Sequence, residues 1–202
     1  MWSVFGVMAL YVLVTRDWTL LDSHSALRQR YAPIPWLMMA HGIPGALALV
    51  LGVFQFSTRL RQRFLKLHRS LGRVYVGSAL ISAPLAIAVA IALPIPTLVM
   101  ASTIQAIGWV VTAGTAVYCA RTGRIQQHRE WMIRSYPFAA VFVVVRVIGT
   151  IPAIERMGLI GVATVVWTVI AVACFLPSFV IAWQGLAVSK RTTKVRPAAP
   201  VI

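Results

Sequence analysis

Acidic side chains are scarce in this 202-residue chain, which has 4 Asp and Glu against 19 Lys and Arg. The sequence also lacks paired carboxylates, a phosphate-binding glycine loop and a Ser-His-Asp arrangement, so hydrolytic or phosphoryl-transfer chemistry of the soluble type is not expected. The two cysteines, Cys119 and Cys174, are too few for a disulfide framework or a cysteine-based metal site. These absences argue against most familiar catalytic centres.

Charge of either sign is also rare for the length of the chain. Only 11% of the residues are charged and 59% are hydrophobic, with a mean hydropathy of +0.83. An average soluble domain is about a quarter charged. Lipid is therefore the expected solvent for most of this chain, and its length suits one helical bundle.

The long apolar runs predict an all-α fold, a polytopic membrane helical bundle with six transmembrane helices. They must be helices because an open strand would leave backbone groups unpaired in lipid. Residues 1–189 are assigned to the bundle and residues 190–202 to a basic, disordered tail. Segments 57–73 and 121–130 are predicted to be basic loops. The predicted spans are about 1–14 (a short one), 36–56, 74–93, 97–120, 131–151 and 158–183.

The basic residues predict the orientation of this bundle. Fourteen of the 19 fall in segments 57–73, 121–134 and 190–196, which alternating spans place on one side of the membrane. The positive-inside rule makes that side cytoplasmic, with both termini inside, in a bacterial inner membrane. The same charge predicts contact with anionic lipid headgroups. Nucleic acid is not an expected partner, because the apolar segments leave no soluble platform for it.

Two segments repeat a short motif, Leu67–Tyr75 and Gln127–Tyr136. Each has His-Arg, a second Arg a few residues later and Tyr two residues further on, and each opens an apolar run. His68 and His128 are therefore predicted at the cytoplasmic edge, each at the N-terminal end of a span. The motif residues beside them are Arg69, Arg73, Tyr75, Arg129, Arg134 and Tyr136.

This motif permits several interpretations. A haem b iron takes imidazoles from two helices, and its propionates need Arg, Lys or Tyr nearby, so His68 and His128 are candidate haem ligands. The same residues also suit a site for a lipid, quinone or phosphate, because helix N-termini attract anions. A third interpretation is ordinary contact with headgroups at the membrane surface.

Two further ionisable residues fall inside predicted spans. His41 is a third candidate for cofactor binding, since ionisable groups in a membrane are costly and often functional. Its alternative role is a neutral hydrogen bond to a neighbouring helix. Arg146 is predicted to be a buried charge that needs an internal partner, with surface snorkelling as its alternative.

Several motifs resemble those of a bacterial membrane-protein family, domain of unknown function 2306 (DUF2306). They are His41-Gly42-x-x-Gly45, Gln55-Phe56, Leu67–Tyr75 and His128–Tyr136. This resemblance implies a polytopic membrane protein without naming an activity. The spacing of His41 and His68-x-x-Leu71-Gly72 is also similar to b561-type transmembrane cytochromes, which have four core histidines where this chain has three in or beside its core.

The sequence thus leaves two main function classes open, with a transporter that binds an anion through Arg146 and His41 as a third. The first is a membrane electron-transfer protein, linked to haem b or a quinol, with two of His41, His68 and His128 as iron ligands. The second is a non-enzymatic membrane subunit or scaffold that binds anionic lipid or a partner protein through its His/Arg face. Whether the chain is an enzyme is left undecided by these patterns.

Overall fold

The computed structural model describes residues 32–93, 96–149 and 151–195, and these residues form seven helices and no strand. Five of the helices are long and apolar enough to cross a bilayer. The predicted all-α membrane architecture is therefore confirmed. The first predicted span, residues 1–14, lies outside the described residues, and the six-span count and the orientation stay predictions.

The five long helices are joined by two short ones. Helices α2 and α6 have 6 and 5 residues and connect longer neighbours, whereas α1, α3, α4, α5 and α7 are the candidate spans. The bounds in chain order are α1 Pro35–Gln55, α2 Thr58–Arg63, α3 Leu65–Ala92, α4 Pro96–Arg121, α5 Ile125–Ile148, α6 Pro152–Arg156 and α7 Gly158–Val195.

The predicted basic loops are wrong in large part, because helices occupy them. Segment 57–73 contains α2 and the first nine residues of α3, and α5 begins at Ile125, six residues before the predicted span. Apolar content set the predicted bounds, but Lys, Arg and Gln are good helix formers and continue a helix beyond the hydrocarbon. Helix α7 runs through Val195, so residues 190–195 are helical, whereas 196–202 lie outside the described part.

Local signals place the ends of several helices. The Ser57 hydroxyl accepts a hydrogen bond from the Leu60 amide at 3.2 Å and caps α2. Gly123 follows α4 with φ of 75°, a left-handed conformation that favours glycine, and the Arg124 amide returns to the Cys119 carbonyl at 2.8 Å. The turn between α4 and α5 is therefore short, and the two helices pack side by side.

Four of the spans form a ring. Helix α1 packs on α3, α3 on α4, and α4 on α5, and contacts between α1 and α5 close the ring. Helix α7 lies outside it against α5, with a smaller contact to α4. As a result α3 and α5, which carry the repeated motif, occupy opposite corners and face each other across the bundle.

Small residues let the helices of the ring approach closely. Many core positions are alanine, among them Ala48, Ala79 and Ala116, each with no exposed surface. Gly52 on α1 faces the ring of Tyr136 so closely that a Cβ there would overlap it. The absence of a side chain at Gly52 therefore lets α5 pack closely on α1 at the middle of the bundle.

The outer surface of the bundle is apolar. Trp36, Ile160 and Phe175 are 80%, 71% and 75% exposed, and they are examples of a larger set of exposed aliphatic and aromatic side chains. Such a surface would be an aggregation hazard in water but matches the lipid-facing side of a membrane bundle. The chain is therefore membrane-embedded, in agreement with its helix lengths.

Candidate functional site

His68, His128 and Arg129, three residues of the repeated motif, line one cavity of about 190 Å³, which we call the histidine cavity. It lies where α1 ends and α3 and α5 begin, an end of the bundle that we call the basic end. The cavity is lined by Gln55, Phe56, Arg61, His68, Ile125, His128, Arg129, Met132 and Ile133.

The helix arrangement explains why these side chains meet. His68 and His128 are each the fourth residue of their helices, α3 and α5, and therefore lie in the first turn. Because α3 and α5 stand at opposite corners of the ring, the two imidazoles enter the cavity from opposite sides. Gln55 is the last residue of α1, and α2 folds back to add Arg61.

A hydrogen bond to α4 sets the tautomer of a neutral His128. Its Nδ1–H donates to the carbonyl oxygen of Ala116 on α4 at 2.8 Å. Since a carbonyl only accepts, the proton of a neutral His128 must be on Nδ1, and Nε2 is left as the free nitrogen. The hydrogen bond to α4 thereby orients the His128 ring, and histidines that bind metals are commonly oriented in this way.

Two other polar groups of the cavity are buried without a partner among the described residues. These are the amide nitrogen Nε2 of Gln55 and Nδ1 of His68. Gln55 is only 7% exposed, so water does not easily satisfy its amide. A buried donor without a partner costs about 1–3 kcal/mol, and such groups in a native structure call for an explanation. A bound ligand with acceptor atoms would provide one.

The electrostatic environment of the cavity is positive. His68 is subject to repulsion from His128, Arg61 and Arg69, and Arg129 lines the cavity directly. The free amide groups of the first turns of α3 and α5 add partial positive charge at this end. Within the described ranges no carboxylate lines the cavity. This charge favours an anionic or oxygen-rich ligand.

Glu130, the acidic residue nearest in sequence, is engaged elsewhere. Its carboxylate lies 3.8 Å from the Arg134 guanidinium and accepts a hydrogen bond from Gln126 at 3.1 Å. Arg134 also lies over the Trp131 ring and donates to Ser178 of α7 at 3.2 Å. Arg134 therefore faces α7 and does not line the histidine cavity.

The remaining motif residues divide into surface and core positions. Arg69 and Arg73 are exposed and do not line the cavity, although Arg69 acts on His68 electrostatically. Tyr75 and Tyr136 are 0% and 1% exposed and lie deeper in the bundle. None of these four side chains contributes directly to the cavity walls.

The two core tyrosines hold the four helices of the ring together. Tyr75 donates to or accepts from Ser135 at 3.0 Å and accepts from the Trp109 indole at 3.1 Å, which joins α3, α4 and α5. Tyr136 donates to the Leu49 carbonyl at 3.1 Å and joins α5 to α1. Tyr75 and Ser135 each follow a cavity histidine by seven residues, or about two helical turns. The repeated motif therefore builds the cavity and the polar contact beneath it.

His41 lies far from the other two histidines. Its Nδ1 donates to the Ser82 carbonyl at 2.9 Å, and the Ser82 hydroxyl donates to the His41 carbonyl at 3.0 Å. Ser82 follows His68 on α3 by fourteen residues, a rise of about 21 Å. This separation is too large for His41 and His68 to bind one iron, and His68 and His128 are the two histidines that share a cavity. Its observed hydrogen bonds match the alternative, a contact between helices.

Arg146 is half-buried near the opposite end of the bundle. Its guanidinium lies 4.6 Å from the centre of the Phe142 ring, in a cation–π geometry. It also acts electrostatically on His41. The aromatic face reduces the cost of placing this charge inside a span.

A second cavity, of about 320 Å³, lies at that opposite end. It is lined by apolar residues and glycines, with Glu155 as its one ionisable side chain. Although it is larger, it gathers no set of polar groups comparable with the histidine cavity. The smaller cavity is therefore the candidate site.

A metal or haem site would need its ligands gathered in one place. Among the described residues no group of three or more His, Cys, Asp or Glu is placed to hold a metal ion. Two imidazoles, those of His68 and His128, line one cavity of about 190 Å³. Ligation of a haem iron by this pair stays a prediction.

Sequence reasoning missed Gln55 and Arg61 as site residues. Gln55 belonged to the family motif Gln55-Phe56, but its burial at the end of α1 was not visible from its neighbours. Arg61 belonged to a run of similar basic residues, and only the fold of α2 distinguishes it. Exposed Arg59 and Arg63 on the same helix do not line the cavity.

A family model described as Predicted membrane protein (DUF2306) matches residues 38–185. The match includes every residue that lines the histidine cavity. No curated protein and no solved structure matches the chain. The family prediction is confirmed, whereas the resemblance to b561-type cytochromes gains no support.

Proposed function

The chain belongs to the DUF2306 family of membrane proteins, and we propose that it is a non-enzymatic component that binds the anionic headgroup of a membrane lipid in its histidine cavity. One observation carries this proposal. Gln55 and His68 both line a positively charged cavity, and each carries a buried polar atom, Nε2 and Nδ1, without a partner among the described residues.

The polar groups of the cavity select the ligand chemistry. The Gln55 amide nitrogen and the Arg61 and Arg129 guanidinium groups only donate hydrogen bonds. A neutral imidazole donates through one ring nitrogen, and a protonated one donates through both. A ligand that satisfies this set must present acceptor oxygens, and a negative charge would be further stabilised by the guanidinium groups.

The position of the cavity selects a membrane ligand. The polar groups lie at an end of the bundle, and Phe56, Met132 and Ile133 provide apolar walls beside them. A lipid headgroup can place its oxygens against the donors while the attached chains remain beside the apolar bundle surface. A polar ligand from water would leave these walls without a complementary partner.

The test measures lipid that remains bound to purified full-length protein. Protein in nanodiscs of phosphatidylcholine with a minority of anionic lipid is released and analysed by native mass spectrometry. Arg61→Gln should weaken anionic lipid binding by about ten- to a hundredfold, because a charge-assisted hydrogen bond is worth about 1.5–3 kcal/mol. Arg59→Gln is the matched control, since Arg59 is exposed on the same helix and does not line the cavity.

Arg73→Ala and Arg134→Ala extend this control. Both arginines belong to the repeated motif, but one is exposed and the other faces α7. Both variants should retain anionic lipid like the wild type. Equal losses for Arg59, Arg61 and Arg73 variants would show a diffuse surface charge effect and contradict binding in the cavity.

Quinol-linked electron transfer is a second candidate. A specific observation favours it: Phe56 lines the cavity and its ring lies 5.5 Å from that of buried Tyr136, so an aromatic ring system adjoins the donors. A quinone carbonyl would accept from Gln55 or an imidazole. This candidate predicts co-purified quinone, and a haem would add a reduced-minus-oxidised absorption band that His68→Ala removes. Colourless, quinone-free protein would reject both.

A further inference from the structure

The short helix α2 contributes Arg61 to the wall of the histidine cavity, whereas most of the other wall residues belong to long helices. We propose that α2 is a lid on this cavity, which closes over a bound anionic headgroup by drawing Arg61 toward it and moves away to release it. This inference rests on the proposed function, because it describes how entry to the same cavity is regulated.

Helix α2 is held in place by few interactions with the rest of the bundle. It has 6 residues and none of them is buried. Leu60 and Arg61 are half-buried, and the other four are exposed. Within the described ranges no side chain of α2 forms a hydrogen bond or an ion pair with another helix. A segment with so little buried surface separates from its protein at a low cost in free energy.

Two non-helical residues bracket α2 and provide its hinges. Ser57 before it is extended, with ψ of 114°, and Phe64 after it has φ of −131° and ψ of 56°. The chain is fixed beyond both hinges. Phe56, next to Ser57, packs edge-on against buried Tyr136 with 5.5 Å between the ring centres, and α3 runs from the second hinge into the core. Rotation at the two hinges therefore moves α2 without moving the long helices.

The charges around the cavity make the position of α2 depend on the ligand. Arg61 of α2 and Arg129 of α5 line the same cavity, and no carboxylate lines it in the described part of the chain. Without an anion the two guanidinium groups repel each other, which favours an outward position of α2. An anionic headgroup between them accepts charge-assisted hydrogen bonds from both. The ligand thereby closes the lid over itself.

The backbone hydrogen bonds of α2 report whether the lid is closed. The Leu60 amide donates to the Ser57 hydroxyl at 3.2 Å, and the Phe64 amide donates to the Leu60 carbonyl at 2.9 Å. A helix of this length is not stable on its own in water. These bonds should therefore break whenever α2 leaves the bundle, and the amides should then exchange with solvent.

Hydrogen exchange followed by mass spectrometry measures this opening. Full-length protein is placed in nanodiscs of phosphatidylcholine, either alone or with phosphatidylglycerol as the anionic lipid. At a phosphatidylglycerol content about ten times its dissociation constant, exchange at the Leu60 and Phe64 amides should slow by about tenfold. Helix α6, which is also short and without buried residues but lies at the opposite end of the bundle, is the internal control and should not respond.

The outcomes of this experiment distinguish the lid from the binding site. If native mass spectrometry shows phosphatidylglycerol bound while exchange in α2 does not change, the lid is overturned and the proposed function stands. If no phosphatidylglycerol is retained, both are contradicted. An equal slowing in α2 and α6 would show a general stiffening of the protein by the lipid and would also overturn the lid.

Arg61→Gln tests whether the charge on α2 closes the lid. The variant is compared with the wild type at equal lipid occupancy, which is reached by raising its phosphatidylglycerol content. Its α2 amides should exchange at nearly the same fast rate with and without bound lipid. Arg59→Gln, which changes an exposed arginine of the same helix outside the cavity, should keep the wild-type slowing. Full slowing in Arg61→Gln would contradict closure by this side chain.

Ser57→Ala tests whether the lid controls release of the ligand. Loss of the cap should raise opening of α2 by roughly two- to thirtyfold. Bound deuterated phosphatidylglycerol should then be replaced faster by unlabelled lipid from added vesicles, by a similar factor. Ser57→Thr keeps the hydroxyl and should release lipid at nearly the wild-type rate. Release from Ser57→Ala at the wild-type rate overturns the proposal.

Discussion

Replacing Gln55 with methionine tests whether the cavity is built for binding at the expense of stability. In the ligand-free protein the Gln55 amide is buried, and its nitrogen has no partner within the described ranges. Methionine has a similar length and no donor, so the substitution removes an unsatisfied group without leaving a large void. The variant should therefore gain stability while losing affinity for the ligand.

The expected size of the gain follows from the cost of one buried donor. That cost is about 1–3 kcal/mol, and for a chain of this length each kcal/mol changes the melting temperature by about 2–4 °C. Gln55→Met in lipid-free detergent should therefore melt higher than the wild type by about 2–12 °C. Gln62→Met, at an exposed position of α2 outside the cavity, should change the melting temperature by much less.

Adding anionic lipid should reverse the order of the two proteins. A ligand that binds the folded state stabilises it in proportion to the logarithm of its concentration over the dissociation constant. The wild type should gain from the lipid, whereas Gln55→Met should gain little. Thermal unfolding followed by tryptophan fluorescence measures both effects. A variant that melts lower than the wild type without lipid, or gains equally from it, would refute this explanation of the buried amide.

Two further predictions concern the core that supports the cavity. Gly52→Ala places a Cβ inside the ring of Tyr136, and this overpacking should lower the free energy of unfolding by about 1–3 kcal/mol. The control Gly114→Ala, which has open space around it, should be neutral or stabilising. Equal melting temperatures of the two variants in thermal unfolding would contradict the close packing of Gly52 on Tyr136. Tyr75→Phe leaves the buried Trp109 indole without its hydrogen-bond acceptor, which should lower the free energy of unfolding by about 1–3 kcal/mol and shift the tryptophan fluorescence. An unchanged fluorescence spectrum and an unchanged stability would show that this hydrogen bond is unimportant.

The sequence predicted that this protein is embedded in lipid and that His68 and His128 lie at the same end of the bundle. Long apolar runs can only be helices in lipid, and five of them are present in the described part. The His-Arg repeat marked His68 and His128, which the fold brings to one cavity. Both inferences depend on local composition, and composition is what a membrane constrains most strongly.

The features that the sequence did not predict depend on how the helices pack and where they end. The 57–73 loop was predicted because its residues are polar, although polar residues continue α3 outward from the membrane. His41 was considered as a ligand beside His68, but the antiparallel course of α1 and α3 places Ser82, not His68, opposite it. Gln55 differs from other polar residues only by its burial at the end of α1. None of these facts has a periodic signature along the chain.

The most direct measurement locates the lipid on the protein. Full-length protein is reconstituted with an anionic lipid that carries a photoreactive group in its headgroup, and the cross-linked residues are identified by mass spectrometry. Our account predicts adducts concentrated on the cavity wall, at Met132, Ile133 and Phe56, and their loss in Gln55→Met. Adducts spread over the exposed arginines of α2, unchanged in that variant, would contradict a headgroup site between the two histidines.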